Sequence, residues 1–195
     1  MHTYATDSDE RKKITAFLAI ISVGISYLLF LLLSKLITPS IWWFSAPSAF
    51  AVFGIMYAVF RRFVWLWPLL YRARLVKIPN LNGKWSGALR SSFDDYEKEY
   101  PVTIIIEQSW THIRIRLTTE QSSSYSVAAS LKTDGPEGIS LIYVYQNQPR
   151  VIAQPGMEMH WGTNTLILEE HNRLEGDYFT SKGRRSNGRI RIERA

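Results

Sequence analysis

Two stretches of the chain carry no charge at all. Ile14 to Leu33 is twenty uncharged residues, and at about 1.5 Å rise per residue they build a helix of roughly 30 Å, one bilayer crossing. After a break at Thr38-Pro39-Ser40 a second uncharged run, Ile41 to Phe60, ends at Arg61-Arg62. Pro47 suits the first turn of a helix capped by Ser45, and Phe63 to Trp67 continues the apolar pattern, so the second helix is expected to start late and run on to Trp67, its arginines snorkelling to headgroups. Trp42, Trp43, Trp65, Trp67 and Tyr71 fall where interfacial aromatic belts are expected. Ser22 with Ser26, and Gly54 with Ala58, are small residues at i, i+4 spacing; they either allow close helix contact or are simply the small residues common in such helices. Neither span contains an Asp, Glu, Lys, Arg or His, so nothing in them resembles a proton relay or substrate path.

Past Pro79 the period changes to two. Val102, Ile104 and Ile106 alternate with Thr103, Ile105 and Glu107, and Ile113, Ile115 and Leu117 alternate with His112, Arg114, Arg116 and Thr118. Further strands are expected at Lys84 to Arg90, Ser124 to Leu131, Ile139 to Gln146, Met157 to Trp161, Thr165 to Glu170, Arg173 to Phe179 and Gly188 to Glu193. Asp134-Gly135-Pro136, Asn147 to Pro149, Asn172 and Asn187-Gly188 supply the turns, and Ser122-Ser123-Ser124 reads as another. So many short strands pose an edge problem that closure removes. The expected fold is a membrane α-hairpin plus an all-β domain, a small antiparallel up-and-down β-barrel of about eight strands. Gly83-x-Trp85 opening its first strand, with a late arginine such as Arg191, resembles lipocalin-type barrels, with Trp85 as a core plug. The expected division is a cytoplasmic flank at 1–13, the two-helix hairpin at 14–71, a linker at 72–82 and the barrel sensor domain at 83–195.

Charge sharpens this division. The net charge is +6, which taken alone suggests nucleic acid, but from Ile78 onward fourteen Lys/Arg meet fourteen Asp/Glu. The excess sits in the first 77 residues, nine basic against three acidic: a membrane signature, with no DNA or RNA partner implied. Arg11-Lys12-Lys13 and the Arg61 to Lys77 flank are the positive-inside signals, so both termini are expected in the cytoplasm. The first run is read as a span because it exceeds a signal-peptide h-region and lacks a small-residue cleavage site after it. With no cysteine, disulfides and thiolate metal sites are excluded, and a reducing compartment is consistent with that absence.

Two spans, the linker Lys77-Ile78-Pro79-Asn80-Leu81-Asn82-Gly83-Lys84-Trp85-Ser86-Gly87, and a β-only module containing Tyr143-Val144-Tyr145-Gln146-Asn147 and Gly176-Asp177-Tyr178-Phe179-Thr180 together resemble the two-transmembrane, β-strand-rich effectors of bacterial cyclic-oligonucleotide antiphage signalling systems (CBASS). The resemblance covers nearly the whole chain. It implies a multi-pass protein of the bacterial inner membrane whose cytoplasmic barrel binds a cyclic nucleotide, a cyclic dinucleotide being expected, made by a partner nucleotidyltransferase. Ligand would drive homo-oligomerisation, disruption of the lipid membrane and abortive infection. No cofactor beyond that ligand is implied.

Such a ligand carries two phosphates and two bases, so its site needs cations, aromatic platforms and polar groups for base edges. Tyr143 and Tyr145 share one strand face, as a stacking pair or as core partners, with Asn147 and Arg150 at the strand end. Tyr178 and Thr180 share a face of a later strand. The loop from Ser181 to Gly188 offers Lys182, Arg184 and Arg185, either to a phosphate or to lipid headgroups. His160, in Met159-His160-Trp161, is a base reader or a hydrogen-bonded structural histidine. Glu169 and His171 are the one pair of the Glu169-Glu170-His171 run that shares a face, though a solvated face explains them as well. Nucleophile-elbow, phosphate-loop and zinc-protease motifs are absent, so no enzyme is expected. The alternative reading is a constitutive membrane-anchored lipid-binding or scaffold barrel without a nucleotide ligand, and it requires an uninterrupted apolar lumen.

Overall fold

The computed structural model describes residues 1–36, 48–151, 153, 158–169, 172–181 and 185–195. The chain separates into two compact units, one of residues 9–77 and one of residues 1–8 with 78–195.

The first unit is helical. Helix α1 (Glu10–Leu36) and helix α2 (Ala49–Arg62) pack on each other, burying Leu18 and Ser22 on one and Val52 and Phe60 on the other. Ser22 sits in apolar surroundings because its hydroxyl donates to the Ala19 carbonyl at 2.7 Å within its own helix. Gly54 and Ala58 lie on an exposed face of α2. The cap of α2 is Ser48, whose hydroxyl accepts from the Ala51 amide at 3.2 Å; Ser45, Pro47, Trp42, Trp43 and the Thr38 to Ser40 break lie outside the described residues. A tight turn at Val64–Leu66 and the short helix α3 (Pro68–Arg72) follow. Trp67 and Tyr71 are exposed as interfacial aromatics should be, whereas Trp65 is buried, which removes it from the expected belt. Glu10–Lys35, and Ala49–Leu66 with the turn counted in, are long and apolar enough to cross a membrane. At the base of this unit the Glu10 carboxylate accepts from the Lys77 amide at 2.6 Å, which ties the start of α1 to the end of the linker.

The second unit is a closed barrel. Its strands are β1 (His2–Thr6), β2 (Gly83–Ser91), β3 (Tyr100–Gln108), β4 (His112–Thr118), β5 (Ser122–Gly135), β6 (Gly138–Pro149), β7 (His160–Glu169), β8 (Arg173–Thr180) and β9 (Asn187–Arg194). Strands β2 to β9 form the up-and-down meander that the period-two pattern predicts, closed by β9 on β2 and by β4 on β5.

The N-terminal residues depart from the expected flank. β4 and β5 pair directly only from Arg116 opposite Tyr125 to Thr118 opposite Ser123. Beyond a bulge between Ser126 and Ala128 they diverge, and β1 fills the fork, antiparallel to β4 through His2 opposite Ile113 and parallel to β5 from Tyr4 opposite Ala129 to Thr6 opposite Leu131. His2 Nε2 and Ser126 Oγ are 2.8 Å apart at the branch point, and the Asp7 carboxylate accepts from the Thr133 amide at 2.9 Å. Residues 1–8 therefore complete the barrel. An edge left open there would expose unpaired backbone on both neighbours.

Other expectations shift in register. The segments read as two strands, Met157 to Trp161 and Thr165 to Glu170, are joined between His160 and Glu169 into one strand, β7. Asn187-Gly188 is no hairpin turn but the first two residues of β9, and Ser122-Ser123-Ser124 opens β5. Asn172 does turn the chain, in the left-handed region at φ 58°, which an asparagine tolerates better than most residues. Arg114 and Arg116 face outward, Arg114 3.2 Å from Glu107.

Inside, one end of the barrel is sealed. Trp85 is 0 % exposed and Trp110, Leu81, Ile104, Ile106, Ile113 and Ile115 pack there; Trp85 Nε1 donates to the Leu81 carbonyl at 3.0 Å. The arginine over Trp85 is Arg194, its guanidinium 4.7 Å from the ring centroid, because Arg194 is the residue in register with Trp85. Arg191 instead faces outward toward Glu175. Buried Gln108 organises this floor: its Oε1 accepts from the Leu81 amide at 2.8 Å and its Nε2 donates to the Pro79 carbonyl at 3.2 Å and the Tyr4 hydroxyl at 3.3 Å. Both points where the chain leaves the barrel, Ser8 and Ile78, belong to this end.

Two outcomes test this arrangement. Gln108→Leu strands the Leu81 amide and the Pro79 carbonyl without partners, and chemical denaturation should read a loss of about 2–4 kcal/mol. The fragment 78–195, which lacks β1, should unfold at lower temperature than the same fragment supplied with a synthetic peptide of residues 1–8; equal melting would mean that β1 contributes nothing to closure.

Candidate functional site

The inward positions of the strands change character along the barrel. β6 runs from Leu141 through Tyr143 and Tyr145 to Asn147, β8 from Leu174 through Tyr178 to Thr180, and β5 from Leu131 to Ser124 and Ser122. Apolar side chains seal the floor, and at the other end polar and aromatic ones, with Leu89, Pro101, Leu117 and Ile190, surround a cavity of about 160 Å3.

Glycines make room for the aromatic rings. Tyr145 is in register with Gly162 and lies over it, so that a Cβ there would stand 2.3 Å from the Tyr145 hydroxyl oxygen. Tyr178 lies over Gly188 in the same way, 2.5 Å from where a Cβ would be. A larger residue at Gly162 would collide with Tyr145 and the Phe179 carbonyl, and one at Gly188 with the Arg90 carbonyl of the neighbouring strand as well as with Tyr178. Asn147 is held by two serines, its Nδ2 donating to Ser122 Oγ at 2.9 Å and Ser124 Oγ at 2.8 Å. His160, opposite Asn147, has its Nδ1 3.0 Å from the Glu158 carbonyl. The Thr180 hydroxyl is engaged by Ser186, donating to its carbonyl at 2.9 Å and accepting from its amide at 2.8 Å. That clasp pins the two ends of the basic loop at the rim.

Of the residues expected from the sequence, Tyr145, Asn147, His160, Tyr178 and Thr180 line one cavity. Tyr143 does not. It lies one layer deeper, 1 % exposed, with its ring 6.3 Å from that of Tyr145 and tilted by 58°, so the two form an edge-on core pair and not a parallel stacking platform. Burial pushes the Tyr143 phenol pKa up, the neighbouring Tyr145 adds to the rise, and the Asn164 side chain beside it offsets part. Arg150 is exposed at the rim, its amide 2.8 Å from the Gln121 carbonyl, and Arg185 is exposed in the left-handed region at φ 49°. Lys182, Arg184 and His171 lie outside the described residues. Glu169 is paired with Arg173, and the described residues contain no cluster of three metal-binding side chains.

The sequence reading missed Asn164, Ser122, Ser124, Tyr100, Phe93 and Glu120, all at the cavity wall. Asn164 fell in the gap between two supposed strands, yet its even spacing from Gly162 and Leu166 on one face was the signal that could have found it. No Lys or Arg appears among the described lining residues; the cations stay at the rim. A pocket of neutral hydrogen-bonding groups and aromatic rings with a basic margin can hold a flat polar heterocycle inside and an anionic group outside.

Comparison with known proteins agrees with this architecture. A family profile described as "Cap15, cyclic dinucleotide receptor domain" matches residues 76–194, and one described as "Cap15, TM helices" matches residues 12–66. A relative from Yersinia aleksiciae named CD-NTase-associated protein 15 is 31 % identical over 200 residues, covering 94 % of this chain and 92 % of its own. The receptor profile alone spans more than half of the chain, and so this two-span barrel protein belongs to the Cap15 family, membrane effectors of CBASS.

Proposed function

We propose that the protein is an antiphage effector that binds a cyclic dinucleotide in the open end of its barrel and answers by assembling its hairpins into a membrane-disrupting oligomer. The carrying observation is the change along the lumen: at one end a cavity whose aromatic and aliphatic wall is interrupted by hydrogen-bonding side chains, and at the other both points where the chain leaves the barrel. The ligand is made by a partner nucleotidyltransferase, and the outcome for the infected cell is death or arrest. The barrel acts as a receptor without catalysis of its own.

Topology supports this reading. His2–Thr6 and the strands from Gly83 onward share one barrel, so both must lie on the same side of the bilayer, and an even number of crossings must separate them. Two crossings with basic flanks support assigning that side to the cytoplasm of a bacterium and the hairpin to its inner membrane. Two spans are too few to enclose an aqueous pore, so damage requires several copies. Moving an assembled population from one per cent to ninety-nine takes about 5.5 kcal/mol of differential binding, and a ligand held at roughly 10 nM supplies about 11 kcal/mol in total. Half of that, expressed only in the assembled form, is enough. The rival lipid-binding barrel would need an apolar lumen, and Asn147, Asn164, Ser122 and Ser124 interrupt it.

Calorimetric titration of the full chain in detergent against cyclic di- and trinucleotides, with linear dinucleotides as controls, should find one cyclic species binding below the micromolar range. Heat from none of them would favour the scaffold reading. Tyr145→Ala should weaken the binding by more than roughly tenfold, consistent with the loss of one stacking platform, with little change in melting temperature. Arg185→Ala should weaken it less and reduce its salt dependence. Unchanged affinity in either variant removes that residue from the site.

A further inference from the structure

The outer wall of the barrel is divided in two. On β2, β3, β4 and β9 it carries charges such as Arg114, Arg116, Arg191 and Glu193, and among the described residues no large apolar side chain of these strands is exposed. On β5 to β8 the opposite holds. Tyr125, Val127, Val144, Trp161 and Phe179 stand out from the strands, Phe179 at 56 % exposure and Trp161 at 45 %, and Met159 lies beside them, its sulfur 3.0 Å from Gln146 Nε2. The register joins them into two outward rows, one of Tyr125, Gln146 and Trp161 and one of Ala128, Val144, Thr163 and Phe179. Neither row holds a charged side chain. Exposed apolar patches mark contact surfaces, and aromatic residues and methionine without charges are the composition of an interface centre. Successive strand residues point to opposite faces, so this patch is the reverse of the pocket wall: Val144 and Gln146 flank Tyr145, Trp161 precedes Gly162, and Phe179 separates Tyr178 from Thr180.

Charge and tethering identify the partner. The patch lies at the end of the barrel away from both exits toward the helices, and its rows offer no lysine or arginine to anionic headgroups, which argues against lipid. A nucleic acid or a charged protein would find nothing there to pair with. A second copy of the same patch fits. In a two-fold contact each residue meets the surroundings of its own counterpart, so a charged wall sets like against like, whereas an uncharged one meets itself without repulsion. Copies anchored in one bilayer differ only by rotation about its normal, so their patches stand at one height, and anchoring raises their effective concentration. Resting on the receptor reading, we propose that a cyclic nucleotide in the pocket fixes β6 to β8 and that two barrels then meet through this wall, patch on patch, as a step of assembly.

The chain has no cysteine, so single substitutions report the contact directly. Gln146→Cys, Thr163→Cys and Phe179→Cys are made one at a time in the full chain in membranes, with Arg114→Cys and Arg116→Cys as controls on the charged wall. Each is oxidised with and without cyclic di-AMP, cyclic di-GMP, cyclic di-UMP, the mixed UMP–AMP ring and cyclic tri-AMP, whose binding calorimetry reads separately. A residue near the two-fold axis comes within the roughly 7 Å between Cα atoms that a disulfide spans. With a nucleotide that binds, at least one patch variant should form disulfide-linked dimers, and the controls should not. Thr163→Glu and Thr163→Lys should each bind that nucleotide as the parent does and yet lose assembly by roughly tenfold or more, because like charges meet at the contact; an equimolar mixture of the two should regain it, which a misfolded variant could not do. Nucleotide binding without patch crosslinks, crosslinks equally strong without nucleotide, or a mixture that fails to recover would overturn the inference and leave the receptor reading standing. Quenching of a dye on Thr163→Cys by spin-labelled lipid would give the patch to the bilayer and overturn it as well. Binding of none of the five nucleotides would remove both readings.

Discussion

One glutamine holds together the parts on which the rest of the barrel depends. Gln108 ends β3 at the sealed floor, and its carboxamide reaches the entering linker at Pro79 and Leu81 and the hydroxyl of Tyr4. Asn82 strengthens the junction by accepting from the Gln108 amide at 2.6 Å and donating to its carbonyl at 2.9 Å. A buried carboxamide tolerates little error, since every group left unpaired there is penalised. The floor is therefore a rigid joint between the first strand, the linker and the Trp85–Trp110 plug. Any change in the shape of the barrel has a stiff base to act against, and both chains toward the membrane unit start from that base.

The open end obeys the opposite rule. Where the floor pairs both ends of the Gln108 carboxamide, the upper lumen leaves Asn147 Oδ1 unpaired, and it uses Gly162 and Gly188 to thin the wall beneath Tyr145 and Tyr178. Glycine in a strand weakens it, and an orphaned acceptor weakens it further. Stability has been concentrated at one end and relinquished at the other, the distribution expected when one end is structural and the other is shaped for something that arrives later.

The helical unit and the meander were legible in the sequence because uncharged runs and period-two alternation are local signals. β2 to β9 follow the expected strands closely, except where the site intrudes. β7 was split at Gly162-Thr163-Asn164 because a glycine and a polar residue occupy its inward positions, and those are the positions that face the cavity. The apolar pattern fails where the lumen stops being apolar. β1 was illegible for another reason: five residues, His-Thr-Tyr-Ala-Thr, carry almost no periodicity, and what makes them a strand is a fork between β4 and β5 far along the chain. The lipocalin-like pairing pointed to Arg191 when register put Arg194 on Trp85, since a pattern fixes which face a residue takes but not its partner across the sheet. For the candidate site, Tyr145, Asn147, His160, Tyr178 and Thr180 were visible as polar or aromatic interruptions, whereas Tyr143 could not be told from them without knowing its depth.

The fork that receives β1 also sets an order in time. His2–Thr6 precedes both helices in the chain, yet its partners at Ile113 and Ala129 are made more than a hundred residues later, on the order of ten seconds at roughly 5–20 residues per second. During that interval both hydrophobic helices emerge and enter the bilayer while the strand waits unpaired. A chain that inserts a single helix strands β1 on the wrong side of the membrane and can never close its seam. Closing the seam thus requires residues 1–8 and the strands from Gly83 onward to meet on one side of whatever the two helices cross.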